Sequence, residues 1–157
     1  MPARRTSVRP YTCGLRGEPT LREDGRVRYD RTIVAYHGCD LDTAERIFGG
    51  ESFKTSENTY DWLGAGIYFW EFGVDRARRF AEFQKERGRV TNPAVVGALI
   101  QLGDCFDLMD TKYTDELTRA YELFKKAMQR ARQPMPKNAG PTPDKKLRKR
   151  DCAVMNF

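Results

Sequence analysis

The strongest constraint on the fold is the apolar run AVVGALI at residues 94–100, which lies between Pro93 and Gln101. A run of this length with several β-branched side chains and a proline before it is typical of a buried strand. A second apolar, β-branched segment at residues 32–36 is followed by His37 and Gly38 and predicts another buried strand. Helical patterns lie between and after these segments without regular βαβ alternation, so the sequence predicts an α+β fold.

Three helices are expected. Asp42 with Glu45 three residues later has the form of an N-cap and its partner, and the helix should end at Gly49. Asp75 is expected to cap a second helix that continues to about residue 87, and residues 114–132 form an amphipathic helix.

A further strand is predicted at residues 66–70, after a loop dense in polar and aromatic side chains. Alternation along a strand would put Tyr68 and Trp70 on one face and Phe69 and Glu71 on the other.

The positive charge is concentrated at the two ends of the chain. The formal net charge is +6, whereas residues 1–35 and residues 136–157 each carry +4, which leaves −2 in the middle. Basic ends can attract nucleic acid, and they can equally serve as solvated tails. No apolar run approaches the roughly 20 residues that cross a bilayer, and no signal segment is evident, so we expect no membrane association and a cytoplasmic location.

Cysteine and histidine usage limits the possible chemistry. The cysteines are widely spaced and form no C-x-x-C pair, so we expect no metal site and free thiols: Cys13, Cys39, Cys105 and Cys152. His37 is the single histidine, and any imidazole chemistry must therefore use it.

Two motifs carry a family resemblance. Tyr36-His37-Gly38-Cys39 ends the first strand, and Gly64-Ala65-Gly66-Ile67-Tyr68-Phe69 follows a short helix and a loop. In this order the motifs resemble those of ADP-ribosyltransferases of the diphtheria-toxin and poly(ADP-ribose) polymerase type. The string from Ser56 to Glu71 is similar to a bacterial branch of that superfamily, in which some members act as toxins or in anti-phage defence. The resemblance covers roughly residues 32–110.

The resemblance implies an NAD-dependent transferase that moves ADP-ribose to a protein, RNA or DNA acceptor, with NAD as substrate. By the same resemblance, His37 bonds an adenosine ribose hydroxyl, Gly38 offers backbone groups to the nicotinamide carboxamide, and Tyr68 stacks on the nicotinamide ring. Cys39 stands where many relatives have Ser or Thr. The remaining residues expected around NAD are Asn58, Tyr60 and Gly66.

The domain organisation follows from this assignment. Residues 1–31 form a basic N-terminal arm. Residues 32–133 form the NAD-binding core, an ADP-ribosyltransferase-like split mixed sheet with flanking helices. Residues 134–157 form a basic linker and the start of a further element. An antitoxin or a second chain is a further expected partner.

The carboxylate that relatives carry on a late strand has no evident counterpart. After Gln133 the only carboxylates are Asp144 and Asp151, both in basic surroundings. Glu71 is the remaining catalytic candidate, although strand alternation separates it from Tyr68. We therefore expect a C-terminally incomplete core that binds NAD without efficient transfer unless a second chain or a longer product supplies the missing strand. The alternatives are a catalytically impaired module that binds NAD or nucleic acid, and a purely nucleic-acid-binding protein.

Overall fold

A computed structural model of the chain describes residues 20–21 and 27–157. These described residues divide into two compact units, the first containing residues 20–21, 27–33 and 101–105, and the second containing residues 34–100 and 106–157. The described elements confirm the α+β class. In chain order they are β1 (Thr20–Leu21), β2 (Val27–Arg28), β3 (Thr32–Asp40), α1 (Leu41–Phe48), β4 (Trp70–Glu71), α2 (Val74–Glu86), β5 (Pro93–Gln101), α3 (Thr111–Arg130) and α4 (Lys149–Met155).

The described part of the first unit is built on antiparallel pairing. Strands β1 and β2 form a two-stranded sheet. Backbone hydrogen bonds from Tyr29 to Gly103 and from Leu102 to Arg31 continue the antiparallel pattern, with a bridge between Arg28 and Asp104.

The second unit contains a three-stranded antiparallel sheet in the order β4-β3-β5. Strand β4 pairs with β3 at only two positions, Ala35 with Glu71 and Tyr36 with Trp70. Beyond Tyr36, therefore, one edge of β3 has lost its β4 partner. This is the part of β3 that carries His37 and Gly38.

Helix α2 covers one face of this sheet. Trp70 on β4 packs its ring against Phe80 of α2, with ring centroids 5.2 Å apart. Gly38 lies so close to the helix that an added Cβ would come within 2.1 Å of the carbonyl oxygen of Ala77. Ala77 and Ala81 are both fully buried. Small residues on both elements let the strand and the helix approach closely.

The opposite face carries the core cluster. Cys39 of β3, Ala44 of α1 and Val96 of β5 are buried together, and partly buried Ile47, Phe53 and Ala94 pack against them. The apolar residues predicted for strands and helices thus meet on two sides of β3, which is the central strand.

Helices α3 and α4 pack against each other, and the chain ends with Phe157 against Phe124 of α3 at 5.5 Å between ring centroids. The apolar residues after Asp151 belong to α4, in which Cys152 and Val154 are buried. Residues of the preceding segment also attach to it, because the Asn138 side chain accepts from Arg150 N and donates to Asp151. In the described part of the chain, no helix is long and apolar enough to cross a bilayer.

The predicted strand at residues 66–70 is wrong for most of its length. Only Trp70–Glu71 is a strand, while Gly66 forms an isolated bridge with Ser56. The Tyr68 carbonyl accepts from the His37 ring at 2.8 Å. Because a side chain occupies that carbonyl, the segment does not continue the β4 ladder.

The helix boundaries differ from the expectations at their N-termini. Asp40, not Asp42, caps α1, because its side chain accepts from Asp42 N. Helix α2 begins at Val74 after Gly73 without a side-chain cap, so Asp75 lies in its first turn. Helix α3 begins at residue 111, with Asp110 as its cap. The end of α1 at Gly49 and the strand at residues 94–100 are as predicted.

Candidate functional site

The two sequence motifs meet at a single hydrogen bond between the His37 Nδ1 atom and the Tyr68 carbonyl oxygen, 2.8 Å apart. A carbonyl oxygen can only accept, so Nδ1 carries the proton. In the neutral ring, Nε2 is then the atom with a lone pair. The contact fixes both the tautomer and the orientation of the only imidazole in the chain.

Aromatic rings hold His37 on its other sides. Phe53 meets it edge-on at 5.1 Å between ring centroids, and Phe69 lies at 5.5 Å. Phe53 and Phe69 also contact each other at 5.4 Å. Phe53 was not identified from the sequence, because no motif includes it and its contact with His37 spans 16 positions.

Tyr68 is held across its own loop. Its hydroxyl donates to the Gly64 carbonyl at 2.5 Å, and the side chain is partly buried. Burial, followed by the nearby negative charge of Asp61, raises the pKa of the Tyr68 hydroxyl. The group therefore stays a neutral phenol at physiological pH, with its ring fixed beside the backbone of residues 64–68.

Glu71 lies on the same face of the sheet as His37. In the pairing of β4 with β3, Glu71 lies directly opposite Ala35, and directly opposite residues on neighbouring strands share a face of the sheet. His37 follows Ala35 by two positions and shares that face as well. Alternation had separated Glu71 from Tyr68, but Tyr68 lies outside β4, so the argument does not apply to it.

Gly38 and Cys39 have evident structural roles. Gly38 is buried where β3 approaches α2, and its missing side chain makes room for the Ala77 carbonyl. Cys39 is 7% exposed within the core cluster. Burial and then the charge of Asp40 raise the pKa of the Cys39 thiol. Its side chain thus packs with residues of α1 and β5.

The loop at residues 56–66 is tied together by polar contacts. Ser56 Oγ donates to Asp61 at 2.5 Å and accepts from Asn58 Nδ2 at 2.9 Å. Tyr60 Oη lies 3.5 Å from Arg89 Nη1. Gly66 pairs with Ser56 through its backbone, and a Cβ added to it would meet nothing within 4 Å.

Residues at and near helix α4 hold this loop from outside. Asn156 Oδ1 accepts from Ala65 N at 2.8 Å, and Cys152 Sγ lies 3.3 Å from the Asn58 carbonyl. Arg148 N donates to the Tyr60 carbonyl at 3.3 Å. The sequence did not predict these contacts, because the paired residues are about 90 positions apart in the chain and no local pattern links them.

Two cavities stand out among the described residues. One, of about 540 Å³, is lined by Phe69, Glu71 and Arg76 among others, and so adjoins the ring that contacts His37. The other, of about 600 Å³, lies between the tip of the loop, α3 and α4. None of the residues predicted to bind NAD lines this second cavity.

The chain is similar to an uncharacterized protein of Methanocaldococcus jannaschii, with 28% identity over 95 residues. The match covers 59% of this chain and 44% of that relative, so the chain spans less than half of the relative's length. No family model matches the chain. No solved structure matches it.

Proposed function

We propose that the chain is an NAD-dependent ADP-ribosyltransferase with NAD as substrate and a protein or nucleic acid as acceptor. The observation that carries the proposal is the His37–Tyr68 hydrogen bond, which joins two motifs 31 positions apart. The contact lies directly beyond the point where β4 stops pairing with β3. The proposal includes an ADP-ribosyltransferase-like split mixed sheet, a cytoplasmic location and a role as a toxin or anti-phage effector with an antitoxin partner.

His37 is suited to bind a ribose hydroxyl. With the proton on Nδ1, the Nε2 lone pair can accept a hydrogen bond from a hydroxyl group. The rings of Phe53 and Phe69 restrict the imidazole to one orientation, so little side-chain freedom would be lost on binding.

Tyr68 is suited to stack on the nicotinamide. Its hydroxyl donates to the Gly64 carbonyl, which holds the end of the side chain in place, and its electron-rich face would attract a cationic ring. Gly66, with open space where a Cβ would be, would allow close approach of the ligand to the backbone. Gly38 would offer its backbone groups, and Asn58 and Tyr60 would form the rim.

The reaction breaks the bond between ribose C1′ and the nicotinamide nitrogen. Both electrons leave with the nicotinamide, which departs neutral, and a lone pair of the acceptor forms the new bond to C1′ while the acceptor loses a proton. The transition state resembles an oxocarbenium ion, as in glycoside hydrolysis. A carboxylate near C1′ would stabilise this charge, and Glu71, on the His37 face, is the candidate.

One observation favours the catalytically impaired alternative. After β5 the chain contains α3, α4 and an isolated bridge between Ala139 and Leu147, with no further strand among residues 102–157. The late strand that carries the catalytic carboxylate in relatives is therefore without a counterpart there. In this alternative the same site binds NAD, or nucleic acid, without transfer.

NAD binding to the purified chain, measured by calorimetry, tests the site. Tyr68→Ala should weaken binding by roughly 1–3 kcal/mol if the ring stacks, whereas Tyr68→Phe should keep most of it. His37→Ala should also weaken binding. Unchanged affinity in a folded Tyr68→Ala protein would remove Tyr68 from the site.

Turnover with labelled NAD and separate pools of protein, RNA and DNA distinguishes enzyme from binding module. Loss of one preorganised electrostatic contact lowers kcat by about a hundred- to a thousand-fold, and we expect this for Glu71→Gln. Glu57→Gln, an exposed carboxylate in the neighbouring loop, is the matched control. NAD binding without transfer by the wild type would support the impaired alternative.

A further inference from the structure

The groove between the loop tip, α3 and α4 combines apolar walls with a basic rim. Trp62 and Leu63 contribute the loop side, and α3 contributes only uncharged side chains, Leu117, Thr118 and Tyr121. Its volume of about 600 Å³ falls within the range of ligand sites.

Trp62 forms an exposed platform at this groove. It is 59% exposed, unusual for the largest aromatic side chain, yet one face is held in place. The Arg148 guanidinium lies over the indole, 5.5 Å from its centroid. Arg148 is itself fixed by Asp151, at 2.6 Å from Nε, and by the Asp144 carbonyl at 3.1 Å. The indole is therefore oriented before any ligand arrives, and more than half of the Trp62 surface remains exposed.

The rim of the groove is positively charged. Residues 145–150 contain five cations, and the nearby carboxylates are Asp144 and Asp151. Arg148 and Arg150 share Asp151, at 2.5 and 3.5 Å, so the five cations exceed the two carboxylates by three. The exposed side chains of Lys145, Lys146 and Lys149 provide most of this surplus positive charge. A preset aromatic face beside a row of exposed cations matches a planar base linked to phosphates.

We propose that this groove binds a single-stranded segment of nucleic acid, with one base stacked on Trp62 and the neighbouring phosphates on the basic rim. The inference rests on the proposed function in one respect, because it names single-stranded nucleic acid as the class of acceptor. A duplex fits less well, because its bases are stacked on one another and cannot reach the indole.

The test uses the full chain and fluorescence anisotropy with labelled oligothymidylate and oligouridylate of about 12 nucleotides, a length within the usual site range. Loss of a stacking platform weakens single-strand binding on the order of 10- to 100-fold. We expect that loss for Trp62→Leu, which keeps an apolar side chain, and near-wild-type affinity for Trp62→Phe. The Phe variant keeps the comparison valid if the Leu variant is poorly folded.

Salt dependence tests the phosphate contacts. Three such contacts would lower single-strand affinity about 20-fold between 50 and 200 mM salt. The Lys149→Gln/Arg150→Gln double variant should reduce the slope of log affinity against log salt by about 1.4. The matched control is Arg79→Gln/Lys85→Gln on α2, which removes the same charge elsewhere and should leave the slope within error of the wild type.

Three results would overturn the inference: no binding of either oligonucleotide by the folded wild type, equal losses in the α2 control, or duplex binding that does not depend on Trp62. NAD affinity is measured in parallel without oligonucleotide. Loss of oligonucleotide binding with NAD binding intact rejects this groove alone, whereas absence of NAD binding with intact oligonucleotide binding rejects the proposed transferase.

Discussion

Replacing Gly38 by alanine tests whether the close packing of β3 on α2 holds the second unit together. The added Cβ would lie 2.1 Å from the Ala77 carbonyl oxygen and 3.0 Å from its carbonyl carbon. Both are backbone atoms of a helix, so no flexible side chain can turn away. Either the strand or the helix must move by about 1 Å to restore an ordinary contact distance.

Overpacking a well-packed interior typically costs 1–3 kcal/mol and occasionally more. Because backbone atoms receive the clash, we place Gly38→Ala at about 3 kcal/mol of lost unfolding free energy. In a chain of this length, 1 kcal/mol corresponds to roughly 2–4 °C in Tm, so Tm should fall by roughly 6–12 °C.

Thermal unfolding followed by circular dichroism, with urea titration as a second measure, supplies the assay. The matched control is Gly66→Ala, in the other motif, where an added Cβ meets nothing within 4 Å. Its unfolding free energy should stay within about 0.5 kcal/mol of the wild type. A change of about 2 °C in Tm corresponds to roughly 1 kcal/mol or less, so a Gly38→Ala protein that melts within about 2 °C of the wild type would refute the packing argument.

Three further predictions concern single side chains. Asp151→Asn should destabilise the fold most at neutral pH. Burial alone would raise the pKa of Asp151, but hydrogen bonds from Asn138 and Arg148 hold this pKa below 3.8. The ionised carboxylate therefore stabilises the fold above pH 3.8, and this stabilisation is lost as the pH falls through the folded pKa. A Tm difference from the wild type that does not shrink in acid would contradict this. Alkylation mapped by mass spectrometry should label Cys105 before the buried Cys39, whose pKa is raised, and equal rates would contradict its burial. Asn156→Ala removes the acceptor of Ala65 N, so hydrogen exchange at that amide should accelerate, whereas Asn156→Asp should retain protection; unchanged exchange in the alanine variant would exclude the contact.

Local patterns predicted the elements that depend on local physics. The run at residues 94–100 is apolar enough to identify β5 by itself. The end of α1 was predictable because Gly49 directly follows the last apolar residue of the helical pattern. The caps were less certain from sequence. Asp40 precedes α1, whereas Asp42 lies in its first turn. Asp40, the observed cap, also contacts Thr91 N and Asn92 N, about 50 residues away.

Long-range contacts explain what the sequence did not predict. Residues 66–70 have β propensity, but their partners lie far away in the sequence. Gly66 pairs with Ser56, and the Tyr68 carbonyl accepts a hydrogen bond from the His37 side chain. Whether Glu71 and His37 share a face of the sheet also depends on the register between β4 and β3. Alternation within one strand does not determine this register. Likewise, nothing near Ala65 in sequence points to Asn156 as its partner.

Two of the three motif glycines, Gly38 and Gly66, carry different information about a ligand. Gly38 is required by the packing of β3 on α2, so its presence is accounted for without NAD. Gly66 has open space where a Cβ would be and no positive φ, so neither packing nor backbone conformation requires a glycine there. On the proposed function, close approach of NAD to the backbone gives a physical reason for glycine at this position. Gly66→Ala should therefore keep the wild-type unfolding free energy and weaken NAD binding, by about tenfold if the methyl group displaces the ligand from one hydrogen bond. Calorimetric titration of NAD into the folded variant measures this directly, and wild-type affinity there would show that NAD does not approach Gly66.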